Sequence, residues 1–334
     1  MSKTLLIIRF SSFGDILQTM SVLRPLKESN PDLKIHWLTK SEYRELVELS
    51  PLVDKVWPFE KGQGAFGLIK LAFRIRSMKF DYIYDAHNNL RSKIAVTILN
   101  PFSLKDGFFK RPKNRIKRFL LFSFGINKFE NPFRGMISYT RPIDKITEQK
   151  NLDCRHKFNF AESITCSVDE ITQGEQDFIT MAPSAAWEMK RWPTEHWIEL
   201  ISKLPEKKIF LLGGPSDQFI EELRKKCSTQ NVVNLSGKLS LTQSVYLVSK
   251  SSCLISADTG LIHAAEIMGI NGISLIGPTA FGFPTHENIK TLEVEMECRP
   301  CTKDGRGKCS QDVWRQCMVD ITPTKVSEVC KELI

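Results

Sequence analysis

Apolar and polar positions along this chain fall into two successive alternating series. In the first, TLLIIRF reads as a strand. DILQTMSVLRPLKESN follows as an amphipathic helix with Ile16, Leu17, Met20, Leu23 and Leu26 on one side. Pro25 lacks an N–H and its ring crowds the preceding turn, so this helix is expected to kink or shorten. DLKIHWLT gives a second strand, SEYRELVEL a helix, DKVWPF a third short strand, and FDYIYDAH a buried strand after a basic helix. From about residue 177 the pattern restarts. FITMAPSA, KIFLLGG, VVNLSG, CLISADTG and GISLIGPT read as strands, separated by helical TEHWIELISKL, SDQFIEELRKKC, LTQSVYLVSKS and LIHAAEIMG. Strands alternating with helices imply a parallel sheet covered on both faces, so the class is α/β. Two such domains are expected, at residues 1–170 and 171–334, with the boundary near TCSVDEITQGEQDF. The similarity between the halves is one of pattern, with no strict repeat.

Composition narrows this picture. The 334 residues are 42% hydrophobic and 25% charged, ordinary for a globular protein, and no run of 18 apolar residues stands out as a membrane span. The N-terminus enters the first strand without a leader pattern, which reads as cytoplasmic. The formal charge of +9 is uneven: residues 1–170 carry +11 and the remainder −2. Lys105, Lys110, Arg111, Lys113, Arg115, Lys117 and Arg118 crowd into KDGFFKRPKNRIKRF. Such a run suits nucleic acid, an acidic lipid surface or a phosphorylated substrate, and equally a solvated loop. Nine cysteines, an odd number, argue against wholesale disulfide pairing. Cys298, Cys301, Cys309 and Cys317 are spaced C-x2-C-x7-C-x7-C, which suits structural zinc or an Fe–S cluster, although only one short knuckle is present. Packed thiols or a labile disulfide fit the same spacing.

Candidate chemistry lies where strands give way to helices. Gly14-Asp15 puts a carboxylate beside the unpaired N–H groups of a helix start, as a cap or as a site. In ISADTGLIHAAEIMG, Asp258 and Thr259 are able to cap, Gly260 lets the backbone approach closely, and His263 stands one turn in. Such a turn presents N–H groups and a positive dipole end to an anion, most naturally a phosphate. Ser184, Lys190 and Arg191 occupy the edge after another strand, and GGPSDQ and GPTA end two more. There is no G-x-G-x-x-G after a strand and no Walker motif, which argues against an NAD enzyme and a P-loop NTPase.

Taken in order, these segments resemble glycosyltransferase family 9, the bacterial lipopolysaccharide heptosyltransferases. The resemblance spans nearly the whole chain: RFSSFGDILQTMSVLRPLK, FDYIYDAHNNLRSKI, SAAWEMKRWPTEHWIEL, LLGGPSD, DTGLIHAAEIMGINGISLIGPT and the CRPC segment. It implies a GT-B architecture, two Rossmann-like domains facing an interdomain cleft, with acceptor on the first and nucleotide sugar on the second. It implies an ADP-heptose donor and inverting transfer to an inner-core sugar of lipopolysaccharide. By the same resemblance Asp15, of the S-x-G-D motif, is the general base, and Lys190, of K-x-W-P, contacts donor phosphate. Asp258, Thr259, Gly260 and His263 cradle the diphosphate and heptose. Family members often carry an acidic residue directly after the G-G-P turn; here Ser216 comes first and Asp217 substitutes one position along.

Inverting transfer needs a base on one face of the donor sugar and charge stabilisation for the departing diphosphate on the other. Asp15 supplies the first; Lys190 and the Thr259–Gly260 turn supply the second. With Ser184 and Asp217 these complete the donor set, while Ser12, Arg91, Lys113 and Arg115 are the acceptor candidates. No D-x-D pair stands at a strand end, so no obligatory divalent cation is expected, nor any other cofactor. The expected partners are a nucleotide-sugar donor, a phosphorylated lipopolysaccharide core and the inner-leaflet membrane surface, where Phe108, Phe109 and Phe119 interleave with the basic run; nucleic acid is not expected. The enzyme would then be cytoplasmic and peripheral. The rival readings are a GT-B enzyme using another nucleotide sugar and a non-catalytic protein that binds anionic glycolipid.

Overall fold

A computed structural model describes residues 2–99, 107–147 and 153–334. Lys105, in the basic run, lies outside the described residues. The chain divides into two compact units, Met1–Asn114 with Met136–Asn159, and Arg115–Gly135 with Phe160–Ile334.

The first unit contains β1 (Thr4–Ile8), α1 (Phe13–Met20), α2 (Leu23–Ser29), β2 (Lys34–Lys40), α3 (Arg44–Glu48), β3 (Lys55–Phe59), α4 (Gly64–Arg76), β4 (Tyr82–Asp85), α5 (Leu90–Leu99) and β5 (Phe108–Lys110). The chain then passes through α6 (Arg115–Phe124), part of the second unit, and α7 (Gly135–Thr140). The five strands form one parallel sheet ordered β3-β2-β1-β4-β5. Leu5, Leu6, Ile7 and Ile8 are all fully buried, because helices cover both faces of a parallel sheet. The helix read over residues 15–30 is two helices, α1 and α2, broken at Ser21-Val22. The break falls just ahead of Pro25, whose missing N–H is tolerated in the first turn of α2.

The second unit adds α8 (Glu162–Thr172), β6 (Phe178–Ala182), α9 (Thr194–Ser202), β7 (Lys208–Leu211), α10 (Phe219–Lys226), β8 (Val232–Asn234), α11 (Leu241–Lys250), β9 (Cys253–Ala257), α12 (Gly260–Met268), β10 (Gly272–Leu275), β11 (Ile289–Leu292), α13 (Gln316–Val319) and α14 (Pro323–Leu333). Its six parallel strands are ordered β11-β10-β9-β6-β7-β8. All five strands read from the sequence are present. The sixth, β11, is a short IKTL segment whose first residue alone is buried.

Two stretches differ from their sequence readings. The segment taken as an interdomain boundary, residues 165–178, is mostly helix α8, which belongs to the second unit and buries Val168 and Thr172. Phe108 and Phe109, read as membrane-facing, lie in β5; Phe109 is only 6% exposed and pairs with Tyr84 of β4. An edge strand needs its apolar side chains for the core, so neither ring is free to reach a lipid surface.

Both sheets share one topological property. In each, the chain starts in the middle, winds to one edge, then returns to the other side of its first strand. The reversal lies between β1 and β4 in the first unit and between β6 and β9 in the second. At such a switch point the loops leaving the two strands diverge, opening a crevice at their carboxyl ends.

Candidate active site

At the first switch point the β1–α1 loop delivers Arg9, Ser12 and Asp15. Asp15 is the third residue of α1. Its Oδ2 accepts the Ser12 hydroxyl at 2.8 Å and the Ser12 backbone N–H at 3.3 Å, so the carboxylate does close the helix N-terminus. It does more than cap. Arg9 Nη2 lies 2.5 Å from Oδ2, and the Tyr139 hydroxyl donates to Oδ1 at 2.9 Å. Arg9 is itself buried, with Nη1 donating to the Ala86 carbonyl at 2.9 Å. The Arg111 guanidinium stacks 3.8 Å over the Tyr139 ring and donates to Ser138. Burial pushes the Asp15 carboxyl up, but the Arg9 charge, the bonds from Ser12 and Tyr139 and the Arg111 charge outweigh it and hold the carboxyl well below the usual range. Yet its side chain remains 38% exposed, so a substrate hydroxyl has access to it.

Across the switch point β4 ends in Asp85, whose carboxylate accepts the N–H groups of His87 and Asn88 and the Ser92 hydroxyl. This turn holds His87 edge-on to Phe10 at 5.3 Å. Burial, with Arg9, Lys113 and Lys40 against a smaller pull from Asp15, lowers the His87 imidazole to about 4, so it is neutral near pH 7. Of the acceptor candidates, Ser12 touches Asp15 and Lys113 acts on His87. Arg91 is exposed on the first turn of α5, and Arg115 is exposed at the start of α6 in the second unit. The candidates therefore divide between the units. Arg9, His87 and Tyr139 were not picked out from sequence, and Arg111 only as part of the basic run. Arg9 was detectable as a cation closing a strand directly before S-x-G-D; Tyr139 comes from a helix 124 residues further on and left no local signal.

The depressed Asp15 pKa has a measurable sign. Its stabilising contribution is fully present above the ordinary carboxylate range and is lost as the pH falls through the folded value. We expect kcat/KM to show no acid limb from Asp15 between about pH 5 and 8. Arg9→Gln removes the largest of the influences that oppose burial, so an acid limb should move up toward that window in a pH–rate profile. A profile unchanged by Arg9→Gln would mean that the pair does not set the ionisation.

At the second switch point Ser184 follows β6, and Lys190 closes a short turn, Glu188–Lys190. Lys190 Nζ lies 2.8 Å from Asp258 Oδ2 at the end of β9, both side chains only about 15% exposed. Thr279, after β10, donates to the same oxygen at 3.1 Å. Burial would raise the Asp258 carboxyl, but Lys190, His263 and Thr279 bring it below its ordinary value. Thr259 is the N-cap of α12, with its hydroxyl 2.9 Å from that of Ser256; it makes no side-chain cap bond, so the first-turn N–H groups of α12 are not closed by it. His263 is 3% exposed and faces Glu266 at 3.5 Å, while Glu266 also accepts the N–H groups of Thr285 and His286. The His263 ring is thus buried against Glu266, and it is the Glu266 carboxylate that braces the loop beyond β10. Asp217 accepts the Gly214 N–H at 2.7 Å and lies 3.5 Å from Arg191, which holds the G-G-P turn closed.

The cysteine segment wraps this edge. Cys301 and Thr302 N–H groups bond the Pro278 carbonyl, Arg315 donates to the carbonyls of Glu188 and Arg191, and Arg306 stacks over Trp187. All nine cysteines are free thiols, and among the described residues no three His, Cys, Asp or Glu side chains are grouped to hold a metal. Gly305 adopts φ +94, and a Cβ there would lie 2.7 Å from Lys190 Cγ. A side chain would therefore strain the backbone and displace Lys190. Gly305→Ala is expected to weaken ADP binding several-fold by calorimetry, with little change in the pH–rate profile set by Asp15; unchanged affinity would separate this loop from the donor edge.

Known proteins fit these two sheets. The model of "Glycosyltransferase family 9 (heptosyltransferase)" matches residues 68–309. Lipooligosaccharide heptosyltransferase 2 of Haemophilus ducreyi is 26% identical, with 99% of each chain covered. The solved structure of E. coli ADP-heptose lps heptosyltransferase II matches at a TM-score of 0.74 and 20% identity, covering 99% of this chain and 98% of that one. An E. coli heptosyltransferase with ADP-2-deoxy-2-fluoro heptose matches at 0.68 and 17%, covering 98% and 99%. The fold is accordingly GT-B, the class of glycosyltransferases built from two Rossmann-like domains. Within that class, the chain belongs to glycosyltransferase family 9.

Proposed function

We propose that this enzyme transfers heptose from ADP-heptose to an inner-core sugar of lipopolysaccharide, with inversion at the anomeric carbon. The observation that carries the mechanism is Asp15, ionised by its cationic neighbours and still reachable from solvent. Its carboxylate takes the proton of the acceptor hydroxyl as that oxygen bonds to the anomeric carbon and the bond to the ADP oxygen breaks. A strongly stabilised carboxylate is a weak base, so proton transfer comes late, once the attacking oxygen has become acidic. Ser12 and Tyr139 aim the carboxylate, and the neutral His87, with Lys113 nearby, is suited to the hydroxyls and anionic groups of a phosphorylated core sugar.

On the second unit, Lys190 and the N-terminus of α12 at Thr259 and Gly260 receive the diphosphate and offset the charge that grows as ADP leaves. Asp258 aims Lys190, Ser184 adds a hydroxyl at the same edge, Asp217 shapes the nucleoside turn, and His263 lies buried beside Glu266 one turn into α12. Charge neutralisation comes from these groups, so no divalent cation is required. Turnover in EDTA should equal turnover without it, read as ADP release. A loss of rate in EDTA that magnesium restores would contradict this.

We place the enzyme in the cytoplasm, peripheral to the inner face of the membrane. Support for the membrane contact comes from the charge of +9, which is concentrated in residues 1–170. ADP-heptose titrated calorimetrically should bind in competition with ADP, and displacement by a uridine nucleotide sugar instead would favour a different donor.

A further inference from the structure

Helix α6 is amphipathic in an unusual sense. One face is fastened to the second unit: Leu121 is 5% exposed, Phe122 meets the Phe281 ring at 6.0 Å, and the Arg118 guanidinium lies 4.8 Å over that same ring. Its other face is also apolar. Ile116 is 77% exposed, Phe119 60% and Phe124 64%, and Ile126 just beyond the helix is 45% exposed. At 100° per residue Ile116, Phe119 and Phe124 share one side of the cylinder, and Phe119 and Phe124 touch edge to face at 5.6 Å. Single exposed apolar residues are commonplace, but four within eleven positions, two of them in ring contact, form a patch. Arg115 and Lys117 are exposed on the same helix. From Gly107 to Phe129 the sequence has seven Lys and Arg and no Asp or Glu.

We infer that α6 is a docking helix for an anionic bilayer surface, with Ile116, Phe119 and Phe124 entering the headgroup boundary and the neighbouring cations meeting lipid phosphates. Charge complementarity selects this occupant. A surface of lipid phosphates over acyl chains satisfies both the acid-free cationic stretch and the large apolar side chains, in the manner of interfacial helices. A nucleic acid would satisfy only the cations, and a second copy of the chain would set α6 against its own like charges. The inference deepens the peripheral-membrane reading above and names its contact. It replaces Phe108 and Phe109, which the sheet retains, with side chains that are free to insert.

The test uses the full-length protein and vesicles without donor or acceptor, so it does not depend on transfer. Wild type should cosediment with phosphatidylcholine vesicles containing about a third phosphatidylglycerol, and only weakly with pure phosphatidylcholine. The triple variant Ile116→Ser, Phe119→Ser, Phe124→Ser should lose at least tenfold in partitioning, while ADP release with a deacylated, water-soluble core acceptor stays within twofold. Should the triple variant fold poorly by circular dichroism, Phe119→Trp serves instead: the added fluorescence should shift blue with acidic vesicles and be quenched by brominated lipid. Unchanged vesicle binding by the triple variant, or no spectral response from Phe119→Trp, would overturn the inference. So would a dimer in analytical ultracentrifugation that the serines dissociate without affecting vesicle binding. If transfer fails with every acceptor while vesicle binding still requires this face, the heptosyl reading falls and the docking helix stands.

Discussion

Asp15→Asn will lower turnover by at least ~10²-fold while ADP binding is retained. The amide preserves the shape of the side chain; with its oxygen toward Ser12 it still accepts from Ser12, and its –NH2 donates to the Tyr139 hydroxyl, so α1 keeps its start. What disappears is the proton acceptor. Arg9 also loses its counter-charge in a buried position, although it keeps the Ala86 carbonyl. A fully buried pair broken on one side costs about 3–5 kcal/mol, but Asp15 is over a third exposed, so the cost here should be nearer ~1–2 kcal/mol. The variant should therefore be folded and inactive. Steady-state ADP release beside a urea melt separates the two effects. A folded variant within a few-fold of wild-type turnover would reduce Asp15 to a cap.

Lys190→Met should be the most destabilising of the substitutions considered. It leaves the Asp258 carboxylate buried among Thr279 and the backbone with its cation gone. With both side chains only about 15% exposed, little solvent screening applies, and a loss of about 3–5 kcal/mol is expected. At ~2–4 °C per kcal/mol for a unit of this size, the melting temperature should fall by roughly 6–20 °C. Adding Asp258→Asn removes the stranded charge, so the double variant should recover most of that stability. It should not recover ADP affinity, because the cation facing the diphosphate is still missing. Recovery of both would make Lys190 a purely structural partner; recovery of neither would point to a wider collapse of the donor edge.

The central strands were legible because buried parallel strands read as unbroken apolar runs, as in LLII, ITMA and LISA. Strand β5 escaped because FFK is three residues inside a cationic stretch, and its phenylalanines looked available when they are committed to the sheet. Helix α8 was mistaken for a linker since ESITCSVDEIT is mostly polar and buries only two side chains. At the sites, residues beside a strand end were visible in sequence: Asp15, Lys190, Asp258 and Thr259 all lie within reach of a switch point. Their settings were not. Tyr139 reaches Asp15, and Gly305 reaches Lys190, across more than a hundred positions, and only the folded chain brings them together. The cysteine spacing left a metal, packed thiols and a labile disulfide open, and gave no sign that the same loop braces the donor edge through backbone bonds, Arg306 and Arg315.

The most direct measurement is the mass of the product formed by the wild-type enzyme. It would be incubated with ADP-heptose and a set of truncated lipopolysaccharide cores in EDTA, with ADP release followed in parallel. A heptose-sized mass gain on one core, stoichiometric with ADP, is the expected result. No gain on any core, together with turnover of a different nucleotide sugar, would contradict heptosyl transfer.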